Sequence, residues 1–251
     1  MFSIITPTYN RSEKLKRAID SVLAQDFGDW EMIIVNDSPS DETYTEIEKN
    51  LNDDRIKYLL NEKNYGVNFS RNRALENSSH EWIIFLDDDD YLANDSLSKI
   101  KAVIEGEPER KWVVTNRVMD NGRPITIFPR DDTEYDYAWD YLISKKLKGD
   151  ATHAIKKSLI AKARFSKHIK NGEEWLFFFM IGLKSKIYYR DLDTTLSDGY
   201  GESGLNLRRR NIFRELKILF IFIIEGIERK IALKPLFILY WFMRLGRLII
   251  K

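Results

Sequence analysis

The sequence predicts an α/β fold, a mainly parallel and doubly wound sheet flanked by helices, with a helical appendage at the C-terminus. Three observations lead there. Strand-type and helix-type apolar spacings alternate through the first hundred residues. Each apolar run ends in a polar cluster, most sharply where Phe85-Leu86 gives way to Asp87-Asp88-Asp89-Asp90. After residue 207 the pattern becomes helical, apolar and basic. A chain of 251 residues is long enough to bury a substantial core.

Taken in order, Phe2–Thr6 is a short strand, and Ser12–Gln25 places Leu15, Ala18, Ile19, Val22 and Leu23 at helical spacing. Met32–Val35 is a second strand, Asp41–Leu51 a polar helix, Ile56–Leu60 a third strand, Asn68–Glu76 a third helix, and Trp82–Leu86 a fourth strand. Alternation at this spacing implies βαβ units, whose right-handed crossovers gather the post-strand loops along one sheet edge. Farther on, Trp112–Val118 and Pro124–Phe128 read as strands joined by a turn at Asp120-Asn121-Gly122. Residues 136–147 and 172–185 read as helices and Ile187–Arg190 as a late strand. Asp191–Leu205, rich in Gly, Ser, Asp and Thr, reads as a loop. Helix resumes from Arg208, with a break at Pro235.

Composition removes several classes of function. There is no cysteine, which excludes disulfides and thiolate metal sites. The N-terminus reads as a first strand, without the basic start and long apolar stretch of a signal peptide. The net charge of +1 hides a division: residues 205–251 hold 11 Lys/Arg and 3 Glu, leaving 29 basic and 36 acidic residues in 1–204. An acidic body (1–204) with a basic tail (205–251) suggests two jobs on one chain. Nucleic acid is disfavoured as a partner, since the tail's basic residues are interleaved with aliphatic runs.

Polar clusters follow each predicted parallel strand: Thr6–Arg11, Asn36–Asp41, Asn64–Gly66 with Arg71 and Asn72 behind it, and the Asp87–Asp90 tip. Each alone has a bland explanation as a cap, turn or surface charge. Together on one edge they assemble a nucleotide-sized pocket, with Tyr9 as a stacking face, Asp37 as acceptor for a base N–H, Arg71 facing phosphate and the acidic tip holding a hard divalent ion. The stretches SIITPTYNR (3–11), EMIIVNDSPSDET (31–43), NYGVNFSRNRAL (64–75) and EWIIFLDDDDYL (81–92) resemble the inverting GT-A glycosyltransferases of family 2.

The resemblance implies a metal-dependent transfer of a sugar from a nucleotide-sugar, UDP-linked in expectation, to an acceptor hydroxyl. It further implies that Pro7 and Tyr9 form the wall beside the base, that Asp37 reads the uracil N3–H, and that Arg71 lies near the base and diphosphate. Asp87, facing the ribose, and Asp88 fall on the nucleotide side, and Asp89 ligates Mg²⁺ or Mn²⁺. Asn36 stands where the family usually has Asp. Asn171-Gly172-Glu173-Glu174-Trp175 resembles the family's late acidic motif and puts Glu174 in the position of the catalytic base, one methylene longer than the usual Asp. The alternative is that both glutamates merely favour a helix start.

Gly199-Tyr200-Gly201-Glu202-Ser203-Gly204 fits G-x-G-x-x-G, but it does not open a βαβ unit and so is read as a lid instead of a dinucleotide site. The family's histidine near this loop is missing, with Asp198 a conceivable stand-in; His153 lies in a segment resembling the acceptor side. In the tail, Arg210, Arg214 and Lys217, and again Arg244, Arg247 and Lys251, fall at i, i+4, i+7 beside apolar runs too short to span a bilayer. This predicts helices lying on a membrane surface at the cytoplasmic face, with a saccharide or lipid-linked saccharide as acceptor. On that reading a chain cut near Leu207 stays soluble and still binds nucleotide. The alternatives are a helical pair packed on the body or in a homodimer, and, for the whole chain, a silent GT-A scaffold or a sugar-1-phosphate nucleotidyltransferase. The last lacks its Gly-rich N-terminal phosphate loop here.

Overall fold

A computed structural model describes residues 1–38, 47, 51–198 and 212–249. Strands β1 (Phe2–Thr8), β2 (Trp30–Asn36), β3 (Ile56–Leu60) and β4 (Trp82–Phe85) run parallel in the spatial order β3-β2-β1-β4. β1 and β2 are buried at every position, which is why they read as unbroken apolar runs. Alternate residues enter two different cores. Ile4, Met32, Ile34 and Ile84 meet Leu15, Ala18, Ile19 and Val22 of α1 (Ser12–Leu23) on one face. Ile5, Ile33, Val35 and Ile83 pack with Ala74 and Leu75 of α2 (Val67–Asn77) on the other. The expected helix over 41–51 lies outside the described residues except for Ile47, which is buried, and Leu51.

Beyond β4 the sheet becomes mixed. β8 (Ala151–Lys156) runs antiparallel between β4 and β6 (Trp112–Met119), and β9 (Ile187–Ser197) lies parallel to β6. β5 (Asp90–Leu92) and β7 (Thr133–Tyr135) pair antiparallel with β9, giving nine strands among the described residues. Helix α3 (Ser96–Gly106) packs against this half, and a π-helix spans Tyr137–Ile143.

Three expectations change here. Residues 191–197 are strand, not loop: Thr194 and Thr195 are buried, and their hydroxyls pair with Thr115 and Thr152. Satisfied hydroxyls make a polar composition compatible with a sheet interior. The turn at Asp120–Gly122 forms, closed by Gly122 and Met119 amide bonds, but Pro124–Phe128 contributes only single bridges to Val118 and Lys148. The Asp87–Asp90 run does not simply end a strand: the Asp90 amide closes a turn on the Asp87 carbonyl, and Asp90, buried, begins β5.

The later helical segments are α4 (Trp175–Gly182), α5 (Ile212–Glu228) and α6 (Pro235–Ile249). The break before Pro235 is a folded turn, with Lys230 at φ +59 and the amides of Ile231 and Ala232 returning to the Gly226 carbonyl. Gly226 also admits the Phe237 ring, whose edge lies 2.8 Å from where a Cβ would stand. The inner faces of α5 and α6 pack on the body. Trp175 lies 4.8 Å from Phe222 and 4.6 Å from Tyr240, and Ile218, Leu219, Phe237 and Tyr240 belong to the same core as α4. The expected boundary at 204/205, the glycine-rich lid, and Arg208, Arg210 and Lys251 lie outside the described residues.

Candidate active site

A cavity of about 550 Å³ is lined from the ends of β1 and β4 by Pro7 and the Asp87–Asp90 run, and from the opposite side by Asn171–Trp175. Four adjacent carboxylates are tolerated because arginines converge on them. Arg71 Nη2 meets Asp87 at 2.7 Å, Arg11 Nη1 bridges Asp88 and Asp89 at 3.1 Å each, and Arg117 Nη2 meets Asp90 at 2.5 Å. Burial pushes the Asp90 carboxyl up to about 7 against the pull of Arg117, and pushes Asp88 up to about 6 against that of Arg11. For Asp87 burial also acts upward, but Arg71, backed by Arg117 and Arg11, outweighs it and holds the group below the usual carboxylate range.

Asp87, Asp89 and Asp90 bring one carboxylate oxygen each within 4.8 Å of one another. An all-oxygen set of this kind fits a hard divalent ion. Asp88 faces elsewhere: it accepts from the Thr8 hydroxyl at 2.8 Å and from Arg11, tying the tip to the end of β1. Sequence reasoning therefore missed Asp90 as a candidate ligand, and Arg11 and Arg117 as the tip's counter-charges. The signal for Asp90 was its place in the run; nothing local marked Arg117.

Arg71 is the hinge of the site. Buried at the cavity floor, it spans from Asp87 to Glu174, whose Oε1 lies 2.9 Å from Nη1. Burial works against its charge, yet Asp87 and Glu174 more than offset that and keep it cationic. Glu174 is the residue preceding α4; its side chain caps nothing and stays partly open to the cavity.

Two other expected residues lie away from this cavity. Tyr9 is exposed, and the buried Asp37 spends its carboxylate on the chain itself. Asp37 accepts from the Tyr65 and Gly66 amides at 2.9 and 2.7 Å and from Asn61 at 2.8 Å, fixing the entry to α2. Asn36 donates its amide to the Tyr58 hydroxyl at 2.6 Å while its oxygen accepts from the Ser38 amide. Asp198 is engaged by Arg17 and does not line the cavity.

The Glu174 loop is held by α2. Asn68 donates to the carbonyls of Ile169 and Gly172 at 2.7 and 3.0 Å, and Asn72 exchanges hydrogen bonds with the Phe165 backbone. Gly66, at φ +98, lets that loop approach; a Cβ there would stand 2.5 Å from the Lys170 carbonyl. Asn68 and Asn72 of the NYGVNFSRNRAL stretch are thus the pins of the opposite wall. His153 lies deeper on this side, its Nδ1 accepting from Trp112 Nε1 at 3.0 Å and its ring stacked 4.5 Å from Phe178.

A cavity with an acidic, arginine-balanced edge facing the partly open Glu174 carboxylate, with Glu173 and Asp150 also in its lining, suits group transfer from a charged leaving group. The comparisons agree in kind. The family model described as Glycosyl transferase family 2 matches residues 3–170. A GalNAc(5)-diNAcBac-PP-undecaprenol beta-1,3-glucosyltransferase of Campylobacter jejuni is 35% identical over 195 residues, 74% of this chain and 61% of its own. The Escherichia coli UDP-Glc:alpha-D-GlcNAc-diphosphoundecaprenol beta-1,3-glucosyltransferase WfgD is 40% identical over 95 residues, 38% of this chain and 37% of its own. The chain thus spans less than two thirds of the length of these relatives. Among solved structures, S. aureus TarS in complex with UDP-GlcNAc has a TM-score of 0.71 at 24% identity, over 88% of this chain and 66% of that one. That likeness shows the GT-A fold.

Proposed function

The chain belongs to glycosyl transferase family 2 and is a glycosyltransferase, and we propose that it moves a sugar from a UDP-linked donor to a hydroxyl of a lipid-linked saccharide, with inversion. The observation that carries this is Arg71, whose one guanidinium holds both the acidic tip and Glu174. On this reading the donor diphosphate lies at the tip and the acceptor hydroxyl at Glu174, which takes its proton as the new bond forms. Asp87, Asp89 and Asp90 would hold Mg²⁺ or Mn²⁺, which, when bound, neutralises the departing diphosphate. Arg71 remains charged throughout and can turn from Glu174 to the incoming phosphates, which frees the base. Pro7 walls the donor end. Tyr9 and Asp37 belong to the base-binding side in this proposal, outside the main cavity.

The lipid-linked acceptor is supported by the relatives' undecaprenol-linked substrates and by the outer face of the tail. Phe213, Leu216, Phe220, Ile223 and Ile227 form an exposed stripe along α5, and Lys217 is exposed beside it, while Arg214 lines the cavity. No helix among the described residues is long and apolar enough to cross a membrane. A lipid surface is the occupant this stripe fits, since it takes apolar rings and basic side chains together. The site would then work at the cytoplasmic face.

Calorimetry and UDP release test the assignment together. Wild type should bind a UDP-sugar more tightly with Mn²⁺ and release UDP when given a membrane lipid extract as acceptor. Asp89→Ala should lose the metal-dependent binding. Glu174→Gln should keep it and lose about 10²–10⁴-fold in transfer. Unchanged metal dependence in the first variant, or near wild-type transfer in the second, removes the respective residue from its role.

A further inference from the structure

The two consecutive glutamates of the late acidic stretch both line the cavity but give their carboxylates to different partners. Glu174 meets Arg71, whereas Glu173 is taken by the tail. The backbone that separates them is strained, because Glu173 sits at φ +60, a left-handed conformation that a non-glycine residue adopts only when its surroundings enforce it. Three donors do so. Trp175 Nε1 reaches Glu173 Oε2 at 2.9 Å, and the guanidinium of Arg244 on α6 takes both oxygens, Nη1 to Oε2 at 2.9 Å and Nη2 to Oε1 at 3.1 Å. Arg244 is itself braced by Glu215 of α5 at 3.2 Å and lies over the Phe222 ring, 5.5 Å from its centre. Both members of the fork are largely shielded, with side chains 17% and 16% exposed, so this is not a solvated surface pair of little consequence.

We infer that Arg244 is a positioning residue. Through a bidentate fork on Glu173 it holds the left-handed turn that aims Glu174 into the cavity, so the tail's inner face sets the geometry of the acceptor side. The inference rests on the reading of Glu174 as the base. It gives α6 a role distinct from attachment to lipid, and it explains why Arg and not Lys stands at 244, since only a planar fork engages both carboxylate oxygens at once.

The test compares Arg244→Ala and Arg244→Lys with wild type in the full chain, by hydrogen exchange of the peptide covering 171–178 and by steady-state UDP release. Expected for Arg244→Ala is at least about tenfold faster exchange confined to that peptide, with β1 to β4 unchanged. The turnover number should fall by about 10²-fold, the loss that follows a misplacement of about 1 Å, while the KM for the UDP-sugar stays within about twofold. Arg244→Lys, which keeps charge and most packing, should fall between the two and decides the matter if the alanine variant does not fold. A merely structural role would instead raise exchange across the sheet and leave the turnover of the folded fraction intact. Wild-type protection of 171–178 together with wild-type turnover in the folded variants overturns the inference. Full transfer by Glu174→Gln would instead remove the base assignment, whatever Arg244 does, so the two failures are distinguishable.

Discussion

On the acid-tip side of the cavity the carboxylates, Arg11 and Arg117 stand within a few residues of a strand end, with Arg71 alone supplied from a helix, whereas the Glu174 side is a loop held by segments far away in the chain. Asn68 reaches the loop from 104 residues before it, and Arg244 from 71 residues after it. The buried Glu225 of α5 adds a third tie, accepting from the Ser166 hydroxyl while Arg229 pairs with it and reaches the Arg164 carbonyl. Strand ends deliver side chains by local geometry, so one edge of the sheet can be written as a series of short motifs. A loop wall depends on long-range partners that carry no local signature. The difference also predicts where damage spreads: on the tip side it should stay local, and on the loop side it should travel.

The sharpest way to break that comparison is to remove the tail. The inner faces of α5 and α6 and the turn between them bury Ile218, Leu219, Phe222, Ile231, Phe237 and Tyr240. Each contributes about 1.5–3 kcal/mol, against a net stability of about 5–15 kcal/mol for a whole domain. A chain ending near Leu207 would also bare Trp175 and Phe179 to water. The structure therefore revises the outcome expected from sequence: the truncation should aggregate or show no cooperative unfolding transition. Phe220→Glu/Ile227→Glu on the outer face should instead keep the wild-type Tm and lose co-sedimentation with anionic vesicles. A soluble truncation that still binds UDP would show that the loop wall stands without its distant supports. Unchanged vesicle binding by the double variant would remove the lipid surface from the outer face.

That revision also marks what was legible. Phe2–Thr6, Met32–Val35, Ile56–Leu60 and Trp82–Leu86 all fall on strands. β3 is a half-exposed edge strand read from its β-type residues, whereas burial on both faces leaves continuous apolar runs in β1, β2 and most of β4. The acid tip was visible for the same reason. The first part of β9 was read as the strand Ile187–Arg190, but its continuation over 191–197 was hidden by Thr194 and Thr195, whose pairing with other threonines exists only in the folded sheet. The tail's helices were readable from spacing, but their inner faces were not, since an apolar run looks alike whether lipid or Trp175 covers it. Asp37 and Tyr9 were placed in one pocket from their positions after β1 and β2. The structure shows that Asp37 is occupied with the Tyr65–Gly66 turn, a contact no spacing could reveal.

A smaller change should sharpen the contrast from the α2 side. Asn68→Ala leaves the Ile169 and Gly172 carbonyls without their donor, and buried groups so orphaned cost about 1–3 kcal/mol. Chemical denaturation should report that loss, and hydrogen exchange should place it in the 165–174 loop and not in the strand ends. Exchange rising equally at the acid tip would mean that the two walls are one cooperative unit.

The smallest expected effect concerns the depth of the loop side, where burial pushes His153 down to about 3. Trp112 can only donate, so its bond to Nδ1 requires the neutral ring with the proton on Nε2. In the unfolded chain a histidine titrates near 6.5. The depressed folded value means that the unfolded state binds the extra proton, so this contribution to stability is full above about pH 6.5 and is lost as pH falls toward 3. Between pH 7 and 5.5, above the range of ordinary carboxylates, the wild type should lose about 1 kcal/mol through this group. His153→Gln keeps an acceptor for Trp112 and has no proton to bind, so denaturant titrations at the two pH values should show that increment missing. An equal pH dependence in variant and wild type would mean that His153 takes up its proton in the folded protein as readily as in the unfolded one. The Trp112 contact would then yield on protonation, and the loop side would be softer at its base than its aromatic packing indicates.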